Sequence, residues 1–114
     1  MTYLSVGLNK IRDLHSATID KAWLGTDGSA VSESQIGLQA GVTASKATVT
    51  IVASDKTNVV NYTLVSTTAV GVTVREFAII DDGVVEYNRV TFTGASHTSA
   101  DEIVVRQSLF YRNP

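Results

Sequence analysis

The chain contains no cysteine, which excludes disulfides, thiolate metal ligands and a cysteine nucleophile together. Small secreted domains are more often stapled by disulfides, so this absence favours synthesis inside a cell. The one proline is the last residue, so no proline interrupts a strand or helix. No apolar run approaches the roughly 18 residues of a membrane-spanning helix. The opening stretch MTYLSVGLNKIRDLHSATI carries Lys10, Arg12 and Asp13 and does not read as a signal peptide. Positive charge is scarce too: 9 Lys and Arg stand against 11 Asp and Glu, for a net charge of −2. Without a basic stripe to neutralise phosphates, a nucleic-acid partner is not expected.

The inventory of reactive groups is equally thin. The two histidines are His15, at the edge of an apolar helical face, and His97, in the polar loop TGASHTSADE. Ser96, His97 and Asp101 contain the elements of a nucleophilic triad, but neighbours along one loop rarely converge as a triad requires. Two separated histidines without cysteine make no zinc pattern. The DGS at 27–29 and DDG at 81–83 lack the spaced acidic ligands of a calcium loop and read as turns. Gly25, Gly28, Gly37 and Gly41 are too irregular to cradle a phosphate. No catalytic residue, metal or cofactor is expected.

What the chain does contain is valine and threonine, about a quarter of its residues. β-Branched side chains are stiff at χ1 and suit a pleated surface, so the bias predicts a β-rich body. Its 114 residues suffice for one domain with a real core. Leu4, Leu8, Ile11 and Leu14 recur at helical steps, predicting an amphipathic helix over about 4–18 that covers a sheet or packs on a neighbouring subunit. KAWLG (21–25) reads as a short strand with the only Trp, Trp23. Residues 25–46 are rich in Gly, Ser, Thr and Ala, with Val31, Ile36, Leu38 and Val42 as apolar anchors, and predict a long surface loop. From residue 47 the period becomes two. Strands are expected over 47–53, 59–65, 72–80, 84–92 and 102–111, with Val60, Tyr62 and Leu64 sharing a face. The predicted fold is mainly β, a single-domain antiparallel β-sandwich with one N-terminal amphipathic helix.

Within VREFAIIDDGVVEYNRVTF (74–92), Asp82-Gly83 suits a two-residue hairpin turn. The turn leaves Arg75, Glu76, Glu86 and Arg89 unexplained among residues that favour burial. Opposite charges across a hairpin are ordinary on an exposed sheet, whereas buried at a subunit contact they set register and partner choice. Strict alternation would place Phe77 and Ile79 with Arg75, and Glu76 with Val74 and Ala78. That mixed facing favours pairing across a subunit boundary.

The order of features resembles a family of small tailed-phage structural proteins associated with the tail or its fibres. The resemblance rests on AWLGTDGSAVSES after a helix, IGLQAGV, REF-x-I-x-D-D-G, NRVTFTG and HTSADEIVVRQSLFY, and spans residues 4–111. The family pattern runs as helix, GTG loop, REFGLFD hairpin, R-x-x-F-x-P and KTS-x-x-E. Arg75-Glu76-Phe77, Arg89 with Phe92, and Thr98-Ser99 with Glu102 match it best. Thr93-Gly94 replaces the proline and His97 the lysine. The resemblance implies a non-enzymatic virion component of the tail or neck, made in the host cytoplasm. It would assemble as a symmetric oligomer, a trimer or ring, and join fibres and other virion proteins, with no membrane partner. Leu4, Leu8, Ile11, Trp23, Ile36, Leu38, Arg75, Glu76, Glu86 and Arg89 are the expected interface residues. The alternatives are a capsid decoration protein and a carbohydrate- or adhesin-like binding module, the latter needing an exposed aromatic platform among Trp23, Tyr62, Tyr87 and Tyr111.

Overall fold

The computed structural model describes residues 1–81 and 85–113. In chain order these form α1 (Ser5–Thr18), β1 (Ile19–Gly25), a 3-10 turn (Thr43–Ser45), β2 (Ala47–Thr48), β3 (Thr50–Ser54), β4 (Thr57–Leu64), β5 (Thr73–Asp81), β6 (Val90–Ser96) and β7 (Ile103–Phe110). The strands make two antiparallel sheets, ordered β2-β1-β5-β6 and β3-β4-β7. The fold is mainly β, a two-sheet sandwich with one N-terminal helix, as the β-branched composition predicts.

The core lies between the sheets. β4 supplies Val60, Tyr62 and Leu64, the face that period-two alternation assigns to burial. Each such side chain contributes roughly 1.5–3 kcal/mol when fully removed from water. From the first sheet come Ala22 and Leu24 of β1 and Val74, Phe77 and Ile79 of β5. The Tyr62 and Phe77 rings meet edge-on, 5.6 Å between centroids. The Tyr62 hydroxyl donates to the Ser45 carbonyl at 2.6 Å, and burial pushes its pKa up to about 12.

Three expectations change. The stretch 47–53 is two strands in different sheets, β2 pairing with β1 and β3 with β4. The chain crosses at Val49, whose N–H donates to the Asp20 carbonyl. Second, a bulge breaks the β5–β6 register between Val74 and Glu76. The pairing advances two residues on β5, from Val74 to Glu76, but four on β6, from Ala95 to Thr91, and across this irregularity Val74 shares the core face with Phe77 and Ile79 while Arg75 is exposed. Third, of the strand expected over 84–92 the described residues form a strand from Val90; among the described residues before it only Glu86 forms a bridge, to Ile80. The expected Asp82-Gly83 turn lies outside the described residues. Its flanks are joined by the Asp81 N–H donating to the Val85 carbonyl at 2.9 Å.

The helix forms at its predicted position and docks through Leu8 together with polar side chains. Leu8 is its one buried residue. Asn9 receives the Lys56 N–H and donates to Asp55, and Arg12 donates to the Ser54 carbonyl, so the β3–β4 turn is held by polar groups. Leu4, Val6, Ile11 and Leu14 face outward.

Candidate functional site

Three charges of the 74–92 segment, Glu76, Glu86 and Arg89, lie under the 25–46 loop on the face of the first sheet turned away from the core. Glu76 projects there from β5 beside Gly25 of β1, its register partner. Its side chain is 0% exposed. Oε1 accepts from Arg89 Nε at 2.8 Å and from the Gln39 N–H at 2.9 Å. Oε2 accepts from the N–H groups of Ala40 at 2.8 Å and Asp27 at 3.1 Å. Burial alone would raise the pKa of this carboxyl. The Arg89 guanidinium and the Gln39, Ala40 and Asp27 amides outweigh burial and hold it below the ordinary glutamate value.

Arg89 completes the arrangement from the other side. Its Nη1 donates to the Ser29 carbonyl at 3.0 Å and to Gln35 Oε1 at 3.2 Å. Its Nη2 donates to the Asp27 carbonyl at 3.1 Å and to the Asp27 carboxylate at 3.2 Å. A planar fork of donors suits several carbonyls converging on one point. Glu86 makes a second clamp, accepting from Trp23 Nε1 at 2.8 Å and the Leu38 N–H at 3.1 Å. Together the two clamps lay the 25–46 loop over the sheet and satisfy amides and carbonyls that have no ladder partner. Two glycines permit the approach: a Cβ on Gly25 would strike the Glu76 carboxylate and the Ala40 carbonyl, and one on Gly37 would strike Glu86.

Glu76, Glu86 and Arg89 are therefore engaged within one chain, which overturns the expectation that they pair across a subunit boundary. The physical reason is the loop, whose backbone groups need partners more than the hairpin does. Arg75 stands apart, exposed, with one long contact to the Thr26 carbonyl at 3.5 Å. Of the apolar candidates, Leu8 is buried, while Trp23 and Leu38 are half-buried under the loop. Lys46 covers the Trp23 ring, its Nζ 4.4 Å from the centroid. Leu4, Ile11 and Ile36 remain exposed, Ile36 to 94%.

The clamp borders a cavity of about 310 Å³ lined by Val31, Gln35, Glu86, Tyr87, Asn88 and Arg89 among others. Two of its three charged lining residues, Glu86 and Arg89, are already committed to the loop, and the third is Glu33. Ser96, His97 and Asp101 do not converge. The Ser96 hydroxyl meets Thr73, His97 Nδ1 meets the Ala69 carbonyl, and the Asp101 carboxylate accepts from Thr98. His15 packs edge-on against Tyr87 and Tyr111 and hydrogen-bonds the Tyr111 hydroxyl. Among the described residues no group of three or more His, Asp or Glu could hold a metal, and no helix is long and apolar enough to cross a membrane.

The residues that sequence reasoning missed are the loop's own contributors, Asp27, Ser29, Gln35, Gln39 and Ala40. The available signal was the pairing of isolated charges in apolar strands with a glycine-rich segment lacking partners. Comparison with known proteins adds no relative: no family model, curated protein or solved structure matches the chain.

Proposed function

We propose that the chain is a non-enzymatic structural protein of a tailed-phage virion. In this reading it is a tail- or neck-associated component that connects to fibres and works as a symmetric oligomer. The observation that carries it is the facing of α1. The helix buries only Leu8 of its apolar residues, holds the β3–β4 turn through Asn9 and Arg12, and leaves Val6, Ile11 and Leu14, with Leu4 at its N-cap, exposed. Apolar stripes left in water favour association, and charges already tied into a loop clamp are not free for chemistry. The resemblance of its motif order to that of phage tail proteins suggests the biological setting.

A carbohydrate-binding module has less support. Trp23 is covered by Lys46 and bonded to Glu86, and Tyr62 is fully buried, so two of the four aromatic candidates offer no platform. Electron microscopy of particles from the encoding phage, with the chain tagged and gold-labelled, tests the proposal. Label at the tail or neck is the expected result. Label over the capsid shell favours a decoration protein, and particles without label contradict a virion role.

A further inference from the structure

The last strand is an open edge. β7 pairs with β4 alone, Thr57 opposite Phe110 through Leu64 opposite Ile103. The Tyr111 N–H donates to the Lys56 carbonyl in the same register. Backbone groups alternate sides along an antiparallel ladder, so residues 103, 105, 107 and 109 bond toward β4. The N–H and C=O groups of Val104, Arg106, Ser108 and Phe110 then point away from the sheet. Among the described residues nothing pairs with them. The other edges differ: β2 has two residues, β3 is held at Ser54 by Arg12, and β6 is itself irregular, advancing from Ala95 to Thr91 opposite Val74 to Glu76.

The sequence of this edge is symmetric in character. Residues 103–111 read IVV-RQS-LFY, three apolar residues, three polar, three apolar, with Gln107 at the centre. We propose that β7 pairs antiparallel with β7 of a second copy about a two-fold axis at Gln107, joining two three-stranded sheets into one of six. This rests on the self-association reading above and names its interface. In that register Val104 faces the second copy's Phe110, Val105 its Leu109 and Ile103 its Tyr111. Both Val104 and Phe110 are exposed in the single chain, at 57% and 61%. Arg106 faces Ser108. Every outward backbone group finds a partner, because Val104–Phe110 and Arg106–Ser108 are both pairs of outward-bonding residues. A two-fold at Arg106 would instead oppose two guanidiniums, and like charges directly opposite are unfavourable. A two-fold at Ser108 would set Val104 against Arg112. Apolar matching and charge both select Gln107.

The absence of native cysteine makes the register directly measurable. At the two-fold the two Gln107 residues form a non-hydrogen-bonded pair, with Cα atoms about 4.5 Å apart, close enough for a disulfide. Full-length Gln107→Cys, Arg106→Cys and Ser108→Cys are each oxidised and run on non-reducing gels. Gln107→Cys is expected to form a covalent dimer of twice 12.2 kDa, while Arg106→Cys and Ser108→Cys stay uncrosslinked alone. Cross-linking of either of those two in preference to Gln107→Cys overturns the register. If none cross-links while the unsubstituted chain sediments above 12.2 kDa, the β7 interface is wrong and self-association stands. If it sediments at 12.2 kDa at every concentration, both fail. A second test avoids the half-buried position. Phe110→Lys should weaken the dimer on the order of tenfold, and Val104→Glu combined with Phe110→Lys should recover it. These positions lie six residues apart on one strand, so recovery can only act between copies. Failure of the double variant to recover association overturns the pairing.

Discussion

Arg89→Met removes the guanidinium while keeping much of its apolar stem. The Arg89 side chain is 3% exposed, and its partner Glu76 cannot reach water without moving the 25–46 loop. Breaking a buried ion pair from one side costs about 3–5 kcal/mol, because the remaining charge stays buried without compensation. The Gln39, Ala40 and Asp27 amides still hold the carboxylate, so the lower end, about 3 kcal/mol, is expected. That is a large part of the roughly 5–15 kcal/mol stabilising an ordinary domain. With a urea slope of about 1–3 kcal/mol/M, the unfolding midpoint should fall by roughly 1–3 M. Hydrogen exchange at the Asp27, Gln39 and Ala40 amides should accelerate in the same variant, since these donate to Glu76. Exposed Arg75→Ala is the control and should stay within about 0.5 kcal/mol of the parent. A loss below about 1 kcal/mol for Arg89→Met, the level of a surface pair, would refute the reasoning. So would a full loss with unchanged exchange at those three amides.

The same site makes the chain sensitive to acid. The Glu76 pKa is lower folded than unfolded, so its stabilisation is complete above the ordinary value of 4.5 and is lost as pH falls below it through the folded pKa. Urea midpoints between pH 7 and 3 should drop across that window, and a Glu76→Gln variant should show a shallower drop. Gly25→Ala forces a methyl against the Glu76 carboxylate and the Ala40 carbonyl and should cost about 1–3 kcal/mol, read by thermal unfolding. Burial lowers the His15 pKa, so its NMR titration midpoint should lie below 6.5. His15 then costs stability as pH falls from 6.5 toward that midpoint, since the unfolded chain binds the proton first.

Much of the fold was legible because one periodicity governs it. In β4 nothing interrupts the alternation, so Val60, Tyr62 and Leu64 could be assigned to the core from sequence. β5 resisted the same rule because its register with β6 shifts between Val74 and Glu76, and no residue type there announces it. Likewise Val49 reads as the middle of one strand, yet the chain changes sheets there. The clamp was visible only as a question. Charges stood in strands that favour burial, while their partners lay far away in sequence, Asp27 being 49 residues from Glu76. Backbone amides leave no signature in residue identity, so a carboxylate bound mainly by amides looks from sequence like a charge awaiting another charge. The helix was legible in position but only partly in facing. Of its predicted apolar stripe only Leu8 is buried, because Asn9 and Arg12 beside it bond the β3–β4 turn.

Self-association is the claim on which the structural role depends, and sedimentation equilibrium of the unsubstituted chain over a wide concentration range measures it most directly. The expected result is a mass that rises from 12.2 kDa to a whole multiple of it as concentration increases. A mass fixed at 12.2 kDa throughout would contradict the account.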